Sequence, residues 1–265
     1  SVPTTMLLNS LTNGSSMFYS TQITVLPSSM TLNYLTNAVE MFYGSKITAL
    51  PSNMYLSALT NGTSMFENSL IASLPEGMTL NSLVTGDSMF RASKITALPS
   101  TMLLNNMTSG NAMFFNVKIT SLPSGVLLTK LIYGIDMFRI SLIATLPSSM
   151  TLNALTTGSS MFYNTPLNGL PSGVTLNNMK SGGYMFYNCL NLTTLPSGMN
   201  LTKLTSGVNM FQNSTLTTST YSQLLININA NNTNNSVSFN GGNSKYNSTA
   251  VSARTNLTTV KSWTI

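Results

Sequence analysis

Tyr19, Tyr43, Glu67, Arg91, Phe115, Arg139, Tyr163, Tyr187 and Gln212 each follow a Met-Phe dipeptide, at steps of 24 residues and a final step of 25. Aromatic faces stack on sugar rings, and an arginine fork donates to hydroxyls or carboxylates. If equal spacing brings these residues together, Tyr19, Tyr43, Arg91, Phe115, Arg139, Tyr163 and Tyr187 form a candidate ligand strip. The alternative is a partly buried shoulder of the core. A second column holds Lys46, Lys94 and Lys118, interrupted by Gln22, Leu70, Leu142 and Pro166. It reads either as a contact for acidic glycans or as plain solvation.

Other chemistry is poorly supplied. The chain has no histidine and one cysteine, Cys189. That removes His-based triads, His- or multi-Cys zinc sites and intrachain disulfides. Five carboxylates (Glu40, Glu67, Glu76, Asp87 and Asp136) show no repeated pairing, so a two-carboxylate glycosidase has no basis. Cys189 lacks a histidine to activate it and reads as a small buried filler. Gly241-Gly242 lacks the surrounding pattern of a phosphate loop. No catalytic, cofactor-binding or metal-ligating residue is expected, and the chain reads as a non-enzyme.

Charged residues are only 6% of the 265, against a usual ~25%. The formal net charge of +6 comes from Lys and Arg scattered singly along the chain, not massed as nucleic-acid binding requires. No run approaches the ~20 apolar residues of a membrane span, so neither nucleic acid nor membrane insertion is expected. The chain begins at Ser1 and shows no secretory signal, which reads as a processed product, a fragment or an incompletely observed chain.

The elements that position these columns follow from the repeat. Met-Phe recurs from Met17-Phe18 to Met210-Phe211, and Leu-Pro recurs in step from Leu26-Pro27 to Leu195-Pro196, with Val2-Pro3 opening the series. Nine of the ten prolines stand in that column and Pro166 outside it. Within one unit the apolar positions are Ile47, Leu50, Met54, Leu56, Leu59, Met65 and Phe66. All 18 methionines fall into three columns, where flexible apolar filling explains them better than copper binding. A Gly precedes Met-Phe by three residues in every unit but one, which has Ala38; this implies positive φ or close backbone approach.

A unit of this length cannot bury its own apolar face, so units must stack. Residues 1–213 read as a nine-coil repeat solenoid, with short strands at Ile47–Leu50 and Tyr55–Leu59 and a loop or single helical turn at Met65-Phe66. The column Asn9, Asn33, Ser57, Asn81, Asn105, Thr129, Asn153, Asn177 and Thr202 reads as a coil-to-coil amide ladder, with simple exposure the alternative. Residues 214–265 lose the period and read as a small α/β C-terminal cap. Tyr221–Asn229 is a short helix or strand, Ser236–Phe239 strand-like, Gly241-Gly242 a turn, Ala250–Val260 helical and Ser262–Ile265 a final strand.

The segment Met185–Met199, MFYNCLNLTTLPSGM, resembles the leucine-rich repeats of BspA-like surface proteins and related bacterial, mycoplasmal and phage-encoded repeats. Only this unit has the family's cysteine, at Cys189; Ser45 and Thr165 fill that column elsewhere, and the other units are one residue shorter before Leu-Pro. The tail from Phe239 is similar to C-terminal modules that follow such repeats in phage and prophage proteins. The resemblance implies a leucine-rich-repeat-like solenoid in an extracellular setting, on a cell surface or a phage virion. It implies adhesion or host attachment through a host surface glycan or protein, without catalytic residues. Two alternatives stand beside that: an architectural virion component bound to other virion proteins, and, less well supplied with residues, a polysaccharide-active surface enzyme. The uncapped first coil, Val2 to Leu11, points to an oligomer or assembly contact there.

Overall fold

The computed structural model describes residues 2–3 and 6–265. Isolated parallel bridges join Asn13 to Asn37, Asn37 to Asn61, Asn61 to Thr85 and onward at the same position of each unit to Ser181 and Ser206. Consecutive units therefore lie parallel, one over the next. The strands expected at Ile47–Leu50 and Tyr55–Leu59 do not form as runs. Ala49 makes a single bridge to Ser73, and residues 55–59 turn, with Leu56 at φ 52° and the Leu59 N–H donating to the Leu56 carbonyl. The cause is local hydrogen bonding around proline. Pro51 has no N–H to give a ladder, and its carbonyl accepts from Met54 at 3.1 Å.

The Met-Phe segment is neither a helical turn nor a plain loop. The N–H groups of Gly14, Ser16, Phe18 and Ser20 all donate to the next coil, at the carbonyls of Asn37, Val39, Met41 and Tyr43. The residues between them turn back three positions, Met17 to Gly14, Tyr19 to Ser16 and Thr21 to Phe18. Such folding needs a left-handed residue before Met and another two after Phe. Ser16 and Ser20, at φ 55° and 52°, are repeated by Ser64 and Asn68, by Ser88 and Ala92, and by Asp136 and Ile140. A non-glycine residue there costs roughly 1–2 kcal/mol, which the coil-to-coil hydrogen bonds offset.

The recurring glycines stand elsewhere, and their role is close approach, not positive φ. A Cβ on Gly62 would sit 3.0 Å from Met89 Sδ, and one on Gly158 2.8 Å from Leu155. The apolar columns fill the interior: Phe42, Phe66, Phe90 and their successors to Phe211 are fully buried. From Phe18 to Phe211 the rings stack nearly parallel with centroids 5.1–5.7 Å apart.

The C-terminal residues cover the last coil. Strand β1 (Ser206–Gly207) pairs in parallel with β2 (Ser238–Phe239), and Ser238 bridges Thr264 in turn. Helix α1 (Thr218–Asn231) starts at Thr217, whose hydroxyl accepts from the Thr220 N–H, and it buries Tyr221, Leu224, Leu225 and Ile228. Helix α2 (Val251–Thr255) sits between a 3-10 turn and a wider turn ending at Val260. Phe239 meets Phe211 edge-on at 6.1 Å and 69°, so the parallel stacking stops there. Buried Asn232 donates to the Leu201 and Leu204 carbonyls, tying the end of α1 to the last coil.

Candidate recognition surface

One coil separates successive members of the aromatic and cationic column, and the fold brings them into a continuous strip. Tyr19 stacks on Tyr43 at 4.8 Å and 3°, and Tyr163 on Tyr187 at 4.6 Å and 2°. Between these pairs Arg91 lies over one face of Phe115 at 4.9 Å, while Arg139 lies over Tyr163 at 4.4 Å and reaches Phe115 at 5.8 Å. Arg91 pairs with Glu67 at 2.6 Å and Arg139 with Asp136 at 3.2 Å. All seven candidates are thus brought together, but the ring faces meet one another. A sugar ring approaching from solvent meets edges, hydroxyls and guanidinium rims instead. Tyr43 illustrates this: its hydroxyl accepts from Asn68 Nδ2 at 3.3 Å.

Beside the strip, the next residues of each coil form an open groove. One section, of about 520 Å³, is lined by Asn68, Leu70, Ser93, Lys94, Asn116 and Lys118 among others. The following three coils continue it as a section of about 360 Å³, lined by Ile140, Leu142, Asn164, Pro166, Asn188 and Leu190 among others. The groove is therefore cationic toward one end and apolar toward the other. Asn188 Nδ2 donates to Asn164 Oδ1 at 2.6 Å, so amides do bridge coils, in this column.

The amide column expected from Asn9 to Thr202 behaves differently. Asn105 and Asn153 accept from the backbone N–H of Leu127 and Thr175 at 3.0 and 3.1 Å, each binding the next coil's main chain and not its amide. The reason is reach: a parallel stack with few ladder bonds leaves main-chain donors free at that bend. Threonines, which the sequence reading passed over, form a regular set. Thr36, Thr60, Thr156 and Thr205 donate Oγ1 to the carbonyls of Thr12, Thr36, Ile132 and Lys180.

Cys189 is fully buried, and its Sγ donates to the Phe162 carbonyl at 3.0 Å. Burial pushes its thiol up to about 11, against the hydrogen bond with Thr165, so it is a poor nucleophile at neutral pH. In the cap, burial raises Tyr221 to about 12, opposed by Arg254. Among the described residues no group of three or more His, Cys, Asp and Glu could hold a metal ion. No helix among them is long and apolar enough to cross a membrane. No family model matches the chain, and no curated protein or solved structure shows significant similarity to it.

Proposed function

We propose that the chain is a leucine-rich-repeat-like solenoid with a C-terminal α/β cap, acting without catalysis in recognition at a cell surface or phage virion. One observation carries the reading: each position of the unit recurs on the same face of a rigid stack, so weak contacts repeat coil by coil along the strip and its groove. Multivalency then replaces a deep pocket. The BspA-like pattern of Met185–Met199 supports a surface setting, and a host glycan or protein is the partner class.

Binding of the purified chain to intact candidate host cells, with soluble surface polysaccharides as competitors, tests this. Saturable and competable binding is expected; its absence even from a multimerised chain would defeat the reading. Because the tyrosine rings support one another, Tyr43→Phe and Tyr163→Phe are the informative variants. They keep the stack and remove only hydroxyls, whereas alanine would also loosen the coils.

The first coil favours a second reading, an architectural part of a particle. Leu7 and Val25 are 64% and 68% exposed, apolar side chains suited to a protein neighbour. Copurification at fixed stoichiometry with other particle proteins, lost on Val25→Glu, would support it.

A further inference from the structure

The cations of this chain divide into those with partners and those without. Arg91 and Arg139 pair with carboxylates. Lys130 and Lys203 donate to the Asn106 and Asn178 amides, and Lys261 to two main-chain carbonyls. Lys46, Lys94 and Lys118 are exposed, stand at one position of their coils and, like Lys180 and Lys245 elsewhere, have no side-chain hydrogen bond or ion pair among the described residues; the Lys94 main-chain N–H donates to the Ile71 carbonyl. Lys94 and Lys118 line the wider section of the groove, and none of the carboxylates lines either section.

A second observation lies beneath the lysines. Ser69 and Thr165 donate to the Phe66 and Phe162 carbonyls of their own coils at 2.8 Å. At the same position Ser45 and Ser93, the residues before Lys46 and Lys94, are 0% and 4% exposed, and their hydroxyls have no partner. Ser93 lines the groove beside Lys94. Both hydroxyl oxygens are sealed from solvent, so they belong to the floor of the groove, and contact with a ligand falls to the exposed lysines and Asn116 above them.

We infer that this groove binds an acidic polysaccharide laid along the stack, its anionic groups meeting Lys46, Lys94 and Lys118 and its hydroxyls the Asn116 side chain. The inference rests on the recognition reading above and gives it a ligand class. A polymer fits better than a small anion because the three cations are spread over several coils of an open groove. A hydroxylated polymer fits better than nucleic acid because the neighbouring ring faces are already stacked on one another and offer no platform for bases.

The test uses the full chain, with polygalacturonate, dextran sulfate, neutral dextran and single-stranded DNA as probes. One triple variant carries Lys46→Glu, Lys94→Glu and Lys118→Glu. A second carries Lys130→Glu, Lys180→Glu and Lys245→Glu, with the same change in net charge. Binding to at least one acidic polysaccharide is expected, falling about tenfold or more in the groove variant and less than about twofold in the other, with a salt dependence shallower by about two in log–log slope. Polygalacturonate against dextran sulfate decides between carboxylate and sulfate. Lys→Gln versions with unchanged melting replace any Glu variant that fails to fold. Equal loss in both triples, tighter binding to DNA, or no binding to either polyanion would overturn the inference. Cell or neutral-glycan binding that survives the groove variant would overturn it while leaving recognition intact; loss of all carbohydrate and cell binding in the parent chain would defeat both.

Discussion

Gly242→Ala offers the sharpest test of how the cap closes the stack. Gly242 has φ +66°, and a Cβ there would overlap the carbonyl oxygens of Phe211 and Ser214, both main-chain atoms that cannot rotate away. Relief requires the turn to withdraw. That strains a local network in which Gly242 N–H donates to Asn240 Oδ1 at 2.7 Å, Asn243 N–H to Ser214 O at 2.9 Å, Ser214 N–H to Phe211 O at 2.8 Å and Phe211 N–H to Asn240 O at 3.1 Å. Losing about three of these at ~1 kcal/mol each, with ~1–2 kcal/mol for the left-handed alanine, gives a destabilisation of about 4–5 kcal/mol. Urea unfolding reads this directly. The lone tryptophan, Trp263, lies 6.3 Å from Phe239 and reports the cap by fluorescence, and circular dichroism reports the same unit through helix α1. The fluorescence transition should move to much lower urea. Gly169→Ala is the control, since nothing lies within 4 Å of its Cβ position, and it should stay within ~0.5 kcal/mol of the parent. A Gly242→Ala chain that unfolds within ~1 kcal/mol of the parent would refute the close packing of cap on coil.

Further outcomes follow from the interior. Ile140 is a β-branched residue at φ 59°, so Ile140→Gly should raise stability by about 1 kcal/mol and increase the melting temperature. Phe114→Ala removes a fully buried ring with a stacked neighbour on each side and should cost about 3–5 kcal/mol in urea unfolding; Phe18→Ala, with one stacked neighbour, should cost less. Native chain should resist a thiol reagent at pH 8 and react on unfolding, because Cys189 is buried and its thiol is pushed up to about 11. Both Cys189 and Tyr221 are acids whose neutral forms the fold favours, so their contribution is present at neutral pH. It should be lost progressively as pH rises from the ordinary thiol and phenol range through about 11 and 12, measurable as falling melting temperature in alkali.

The 24-residue period and the apolar columns were legible because burial acts on side-chain type, and the same types recur at the same places. The left-handed positions were not. Ser, Glu, Asp, Ala, Asn, Ile and Tyr all occupy them, so no residue type announces the geometry that the hydrogen bonds impose. The glycines drew attention instead, although their part is to admit a methionine or leucine side chain. The strip was found by spacing, but spacing could not say that rings one coil apart would consume one another's faces. The groove beside it went unread as a unit, because its Asn, Ser, Lys and Leu positions carry no shared motif and become one surface only when coils align. In the cap, helix or strand stood open for Tyr221–Asn229, and the threonine-capped helix α1 resolved it.

The one-way hydrogen bonding of the Met-Phe segment gives that flank of the stack an electrical direction. Gly14, Ser16, Phe18 and Ser20 send their N–H groups toward the second coil, and every later coil repeats the gesture until Phe211 donates to Asn240 in the cap. Peptide dipoles aligned in this way add along the axis, as they do in a helix. The donor end is covered by the cap, while at the first coil the Asn13, Ser15, Met17 and Tyr19 carbonyls accept from nothing among the described residues. That edge is a row of partial negative charge. Whatever lies against that edge, an earlier stretch of chain or a separate partner, is favoured when it brings ammonium, guanidinium or amide N–H groups to it.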